Sequence, residues 1–140
     1  MRYMIIVKAS AQSEAGVMPD EKLIAAMADY HAQLAKAGVL LDGSGLQASA
    51  KGWRINYSGG KRTVIDGPFA EAKELVAGYT IIQVRSRDEA LEWTRRFPAP
   101  HGEDVDAQIE VRQMFELDDF PPSESLEQMR SIGTGAVAAQ

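Results

Sequence analysis

Residues 66–74, DGPFAEAKE, bring three acids, one lysine and a Gly-Pro turn into nine positions. A carboxylate can act as a general base, and the lysine ammonium group can hold an anionic substrate group. The stretch therefore favours the polar wall of a ligand cleft, in which Lys73 binds an anion and Glu71 or Glu74 is the base or an orienting acceptor.

Turn chemistry explains the same stretch without a ligand. Pro68 restricts its own φ, Gly67 permits a tight turn, and Asp66 can accept hydrogen bonds from the following backbone. Phe69 would then fill the core, and the remaining charges would be a solvated run. Both interpretations stay open at this point.

The chain has only two histidines, His31 and His101. Histidine is the side chain that titrates near neutral pH, so His31, on a helix face, is a candidate acid or base. A hydrogen-bonded core histidine is the alternative. His101 lies among Glu103, Asp104 and Asp106, but no ligand spacing typical of a metal site is present, so no metal or cofactor is predicted.

Glu110 and Arg112 share one face of a predicted strand and can form a surface ion pair. Arg112 is also expected to anchor a carboxylate near Asp66 or Glu71. Trp53 and Trp93 are expected to pack against other side chains rather than to stack on a ligand. No phosphate-binding loop, dinucleotide fingerprint or serine nucleophile motif occurs.

Composition excludes several classes of function. The 140 residues predict one domain and carry a net charge of −5, which disfavours direct binding to nucleic acid or to anionic lipid. Cysteine is absent, so disulfide and thiolate chemistry are excluded, and a cytoplasmic location is expected. The first apolar run is too short to span a membrane.

Periodicity predicts the elements that position these residues. Apolar spacing in steps of three and four predicts a helix with Leu23, Met27, Tyr30 and Leu34 on one face, ending at Gly38. A second helix follows a capping box at Ser86. Strands and turns are predicted elsewhere: strands at 3–8, 39–41, 76–84 and 107–116, a hairpin at 53–65, and a loop at 10–18.

This order predicts an α+β, ferredoxin-like (split βαβ) antiparallel sheet with an inserted hairpin. Two helices can cover only one sheet face, so a homodimer that packs sheet against sheet is expected. The domain is expected to end at residue 118. Residues 119–140 are expected to be an extended, partly flexible arm with one short helix and a fraying end.

The sequence DGPFAEAKELVAGY, preceded by AKAGVLLDGSGLQ and followed by SRDEALEWTRRFP and IEVRQ, resembles the DGPF subfamily of the YCII-related proteins over residues 2–117. The resemblance implies a dimeric ferredoxin-like α+β barrel. Many members of the subfamily are encoded beside extracytoplasmic-function sigma factors, and the biochemical role of the subfamily is largely unknown.

Shorter relatives carry a suggested histidine–aspartate pair, and the resemblance places these positions near Met27 and Phe97, where neither residue occurs. His31 lies one turn after Met27. The predicted function is a small-molecule-binding protein or enzyme with His31, Asp66 and Lys73 as catalytic residues and Glu71, Glu74 and Arg112 as ligand-binding residues. The alternative is a non-catalytic regulatory partner of a sigma factor.

Overall fold

A computed structural model describes residues 1–133 of the chain. Its central feature is a four-stranded antiparallel sheet in the order β2-β5-β1-β6, and two further strands, β3 and β4, form a separate hairpin. The strands and helices are β1 (Arg2–Lys8), α1 (Ala11–Glu14), α2 (Glu21–Lys36), β2 (Leu40–Gly45), β3 (Trp53–Ser58), β4 (Lys61–Asp66), β5 (Val76–Gln83), α3 (Arg87–Arg95), β6 (Ile109–Gln113) and α4 (Glu124–Ile132).

The predicted α+β antiparallel class is confirmed, and the strand order is that of a split βαβ fold. Helix α2 begins after Asp20, whose side chain accepts a hydrogen bond from Leu23 N. The helix ends before Gly38, which has a left-handed φ of +76°. Each predicted strand is present, with bounds that differ by a few residues at most, except β6, which is shorter.

Helices α2 and α3 cover one face of the sheet. Ile5, Leu34 and Ile82 are fully buried there, and they belong to one core cluster that also contains Tyr30. Because side chains alternate along a strand, Met4 and Ile6 of β1 point to the opposite face, which neither helix covers. Both of these side chains are half-buried.

The two ends of the sheet carry different segments. Lys8, Val76 and Gly45 lie at one end, from which α1, the hairpin and the stretch 66–75 depart. At the other end Arg2 pairs with Gln83 and lies beside the end of β6. The residues after β6 therefore begin about 20 Å from the hairpin's attachment, which is the length of β1.

Four local expectations were wrong. Residues 10–18 contain the short helix α1, because the Ser10 and Ser13 side chains form a reciprocal capping box. The strand predicted at 107–116 ends at Gln113, and Phe115 beyond it is 70% exposed. Trp53, which was expected to pack against other side chains, is 64% exposed on the hairpin. Phe69 lies outside the core cluster and stacks on Arg54 instead.

After β6 the chain makes a 3-10 turn at Leu117–Asp119 and then forms α4. This helix corresponds to the short helix expected in the C-terminal arm. The expected fraying end falls on residues 134–140, outside the described residues. No helix between residues 1 and 133 is both long and apolar enough to cross a membrane.

Candidate functional site

The DGPF loop, residues 66–75, is held tightly against the 3-10 turn at Ser49–Lys51. The backbone N of Gly67 donates to Gly52 O at 3.0 Å, and the backbone N of Phe69 donates to Ser49 Oγ at 3.0 Å. A Cβ at Gly67 would lie 1.9 Å from Ser49 O. Only glycine permits this approach, so the turn interpretation of Gly67 has a defined structural reason.

Glu14, the last residue of α1, bonds to the 3-10 turn that holds this loop. One carboxylate oxygen accepts from Ser49 N at 2.9 Å, and the other accepts from the Ser49 hydroxyl. Ser49 thus donates to Glu14 while accepting from Phe69, and all three residues are half-buried. Hydrogen bonds to a charged group are among the stronger ones in proteins. The network therefore fixes the loop's backbone.

The four charged side chains of the loop, Asp66, Glu71, Lys73 and Glu74, are all exposed. Within residues 1–133, no hydrogen bond or ion pair of these side chains is present. Glu71 has a left-handed φ of +61°, and it is the one non-glycine residue of the described chain with positive φ. Such a conformation costs free energy and persists only where the surroundings impose it.

A second cation lies at this end of the sheet. The Arg54 guanidinium of β3 stacks on the Phe69 ring with its carbon 3.9 Å from the ring centroid. The contact leaves the N–H groups at the edge of the guanidinium for an acceptor. Arg54 makes no ion pair with a carboxylate of residues 1–133. The DGPF loop thus carries one cation, Lys73, and contacts a second, Arg54.

His31 lies elsewhere, in the seam between α2 and β5. Its Nδ1 is 2.7 Å from the Met27 carbonyl oxygen, which can only accept, so in the neutral ring the proton is on Nδ1. Nε2 then accepts from the hydroxyl of Thr80 at 2.8 Å, and Thr80 is 2% exposed. Both ring nitrogens are therefore occupied by partners of this chain.

The ring of His31 also lies edge to face with Phe97, at a centroid distance of 6.4 Å. The resemblance implies an aspartate near Phe97, and the ring that contacts His31 here is a phenyl ring. Tyr30 packs on the same Phe97 and donates its hydroxyl to Trp93 O at 2.8 Å. Burial raises the pKa of Tyr30 to about 12, although the Arg96 charge opposes this.

Arg112 lies on the opposite face of the sheet from His31. It pairs in register with Met4, whereas Thr80 pairs with Ile5 of the core. The predicted ion pair with Glu110 is present at 3.1 Å, and Lys8 approaches the same carboxylate at 3.5 Å. The hydrogen bond from Arg112, with the Lys8 charge in support, holds the pKa of Glu110 below its ordinary value.

The predicted site residues therefore occupy three places in one chain. Asp66, Glu71, Lys73 and Glu74 share the DGPF loop, His31 lies in the helix–sheet seam, and Arg112 lies on the uncovered sheet face. In the described chain, no hydrogen bond joins His31 or Arg112 to the loop. The expected proximity of Arg112 to Asp66 or Glu71 is not seen within one protomer.

His101 has a structural partner, because its Nε2 lies 2.7 Å from the carbonyl oxygen of Lys8. This bond holds the 98–108 loop beside the end of β1. Among residues 1–133, no group of three or more histidine, aspartate or glutamate side chains is placed to hold a metal ion.

Three residues of the loop's surroundings were not singled out by the sequence: Glu14, Ser49 and Arg54. Ser49 is 20 positions from Phe69 and 35 from Glu14, so no local pattern connects them. Thr80 was likewise predicted only as part of the strand at 76–84 and not as a partner of His31.

Fold and site define an α+β protein of the split βαβ class, with a pinned polar loop at one end of its sheet. The chain belongs to the YCII-related family, because the model of the YCII-related domain matches residues 1–116. Membership of the DGPF subfamily stays a prediction.

Two individual proteins are similar to the chain. An uncharacterized protein of Rhizobium meliloti (strain 1021) is 33% identical over 76 residues, which are 54% of this chain and 61% of that protein. The 5-chloro-2-hydroxyhydroquinone dehydrochlorinase of Burkholderia phenoliruptrix AC1100, solved with 2,5-dihydroxybenzoquinone, aligns with a TM-score of 0.40 and 15% identity, covering 83% of this chain and 95% of that one.

Proposed function

We propose that the protein binds a small anionic molecule at the DGPF loop, as a binding protein or as an enzyme. One observation carries the proposal: four charged side chains without partners in residues 1–133 stand on a loop whose backbone is pinned by Ser49 and Glu14. A preorganised loop favours binding because little conformational freedom is lost when the ligand arrives.

Each charged group has a role in this proposal. Lys73 of the loop and Arg54 beside the loop bind the anionic group of the ligand. Glu71 or Glu74 accepts a hydrogen bond or a proton from the ligand. Asp66 ends β4 directly beside the turn. His31 joins the reaction only if Thr80 releases its Nε2, and Arg112 joins only from a second protomer.

A homodimer belongs to the same proposal. The sheet face opposite the helices carries the half-buried apolar residues Met4, Ile6 and Ile81, flanked by the Lys8–Glu110–Arg112 cluster. A second copy on this face would bury the apolar centre and enclose a charged hollow, as expected for an apolar face that needs a partner.

Native mass spectrometry of gently purified protein tests the site. We expect a small molecule to remain bound, and we expect Asp66→Ala and Lys73→Ala to lose it. Because both side chains are exposed and unpartnered within the described chain, each variant should change the free energy of unfolding by less than about 0.5 kcal/mol.

The matched control is Lys22→Ala, which removes an exposed lysine at the start of α2. It should keep the bound molecule. If Asp66→Ala and Lys73→Ala unfold, the loop is scaffold and the proposal fails; it fails equally if both fold and retain the molecule. The sigma-factor alternative stays a prediction, which co-purification with and without residues 120–140 would test.

A further inference from the structure

One face of the β3–β4 hairpin contacts the DGPF loop through Arg54 and Phe69, and the other face is exposed in residues 1–133. Directly opposite residues share a face, so Trp53, Ile55, Tyr57 and Val64 lie together on the second face. They are 64%, 43%, 69% and 63% exposed. A two-stranded ribbon with a bare apolar face is marginally stable in water, which indicates that this face has a partner.

The hairpin is also cationic within an acidic protein. Residues 48–66 contain Lys51, Arg54, Lys61 and Arg62 against one acid, Asp66 at the base of the hairpin, whereas the whole chain has a net charge of −5. Arg62 lies over the Tyr57 ring, with its guanidinium carbon 5.1 Å from the centroid. A partner for this face should therefore present apolar groups together with negative charge.

The segment after β6 has the complementary properties. Residues 115–133 contain five acids against one arginine, a net charge of −4. Phe115, Phe120 and Ile132 are 70%, 44% and 63% exposed. The centroids of the two phenylalanine rings are 5.0 Å apart. A concavity of about 250 Å³ opens beside them, lined by Gln113, Met114, Phe115 and Asp119.

These two surfaces start from opposite ends of the sheet, roughly 20 Å apart. The hairpin follows the end of β2, and the C-terminal segment follows the end of β6, where Met114 N bonds Arg2 O. A two-fold axis perpendicular to the strands places each end of one sheet against the opposite end of the other. The hairpin strands, at six residues each, are about as long as the sheet, roughly 20 Å.

We propose that the hairpin face of one protomer docks on the C-terminal segment of a second copy, and that the exchange is reciprocal. The hairpin face is Trp53, Ile55, Tyr57 and Val64 with Arg62 on the same face and Lys61 beside it at the tip. The C-terminal surface is Phe115, Phe120 and Ile132 with Glu124 and Glu127, and Asp118 pairs with Arg130 of its own protomer. The inference rests on the homodimer of the proposed function and names the contacts that hold it together.

The exchange also affects the ligand site. Asp66 is the last residue of β4, and Phe69 stacks on Arg54 of β3, so the docked hairpin carries the DGPF loop with it. The acids of the partner's C-terminal segment then lie along the hairpin that ends in this loop. Docking would order the loop's surroundings and restrict the ligand to one side.

Paired charge reversals test the exchange. The hairpin variant Lys61→Glu/Arg62→Glu and the C-terminal variant Glu124→Lys/Glu127→Lys each place like charges at both contacts of a homodimer, and the second variant keeps the Asp118–Arg130 ion pair. We expect the dimer dissociation constant of each variant, measured by sedimentation equilibrium, to rise roughly 100-fold. An equimolar mixture of the two variants restores opposite charges at both contacts, so it should dimerise like the unaltered protein.

The control Lys22→Glu/Arg87→Glu changes the net charge by as much as the hairpin variant. It acts at the first turns of α2 and α3, where acids are favourable, and it should leave the dimer unchanged.

Four results would overturn the exchange. If the unaltered protein is a monomer, the homodimer of the proposed function falls with it. If the variants dimerise normally, or become monomers that do not pair on mixing, only the exchange falls. If the unaltered hairpin binds duplex DNA or RNA and the hairpin variant loses that binding but remains a dimer, the basic face serves nucleic acid instead.

Discussion

The DGPF loop and the His31 seam both carry polar side chains, but those of the seam are hydrogen-bonded within the chain and those of the loop are exposed to solvent. In the seam, both nitrogens of His31 are occupied and Thr80 is almost fully buried. In the loop, the backbone N–H groups of Gly67 and Phe69 donate to Gly52 and Ser49, while four charged side chains are exposed and unpartnered within residues 1–133. The seam uses polar groups to join a helix to a sheet, whereas the charged side chains of the loop are left in solvent, where we propose that a ligand binds.

This difference follows from desolvation. A buried polar group that lacks a hydrogen bond costs free energy, so groups in a helix–sheet seam are selected together with their partners. An exposed charge costs nothing to leave unpaired, because water solvates it. Exposed charges on a loop with a hydrogen-bonded backbone can therefore interact with a ligand without loss of the fold.

The largest expected effect is at the junction of the loop with its support. Gly67→Ala places a Cβ 1.9 Å from a backbone oxygen of Ser49, so the loop must move, and we expect a loss of roughly 2–4 kcal/mol of stability together with loss of the bound molecule. Urea denaturation and native mass spectrometry measure the two effects.

Gly52→Ala is the matched control for that prediction. Its Cβ would meet the Ser49 oxygen at an ordinary 3.7 Å, and the φ of Gly52 is −124°. A loss as large as that of Gly67→Ala would show that the 49–51 turn, rather than the close approach, limits stability.

A smaller effect is expected in the seam. Thr80→Val removes the hydroxyl that bonds His31 Nε2 and leaves that nitrogen without its donor, at a cost of about 1–2 kcal/mol. Thr63→Val makes the same change on the exposed hairpin strand β4 and should cost less than about 0.5 kcal/mol. Equal losses, measured by urea denaturation, would contradict the contrast between seam and surface.

The smallest effect at neutral pH is expected for removal of the Tyr30 hydroxyl, and the stability that this hydroxyl contributes is lost at alkaline pH. Tyr30 keeps its proton in the folded state up to a pKa of about 12, above the value of 10 for the unfolded chain. The unfolded chain therefore loses this proton first, so the stability linked to Tyr30 is fully present below about pH 10 and falls as pH rises toward 12.

Tyr30→Phe should remove this part of the alkaline fall, at a cost of about 1 kcal/mol at pH 7 for the lost hydrogen bond to Trp93. Urea denaturation between pH 8 and roughly 11 measures both effects. Tyr57→Phe, a change at an exposed tyrosine, should leave the loss of stability at alkaline pH in place. If stability falls with pH in the same way for both variants, Tyr30 does not cause the loss.

The elements were predictable because their signals are local. The Leu23–Leu34 spacing, the Gly38 cap and the Gly59-Gly60 turn each act within a few residues, and each feature is present in the structure. The ion pair of Glu110 with Arg112 was predictable for the same reason, since residues two apart share a strand face.

The site was less predictable because its residues are far apart in sequence. Ser49 contacts Phe69 across 20 positions, and Arg54 stacks on the same ring from a neighbouring strand. His31 and Arg112 both looked available to the loop, yet the register places them on opposite faces of the sheet. A change of face depends on one residue of register, which the composition of a strand does not reveal.

By itself, the sequence determined the α+β class, the order of helices and strands, and the glycine and proline turn at the start of the DGPF loop, because hydrophobic periodicity and turn chemistry act between near neighbours. Only the tertiary structure decided which polar groups are satisfied and which are left exposed. That outcome depends on the packing of distant segments, as at the contact of Gly67 with Ser49, and packing of this kind has no periodic signal in the chain.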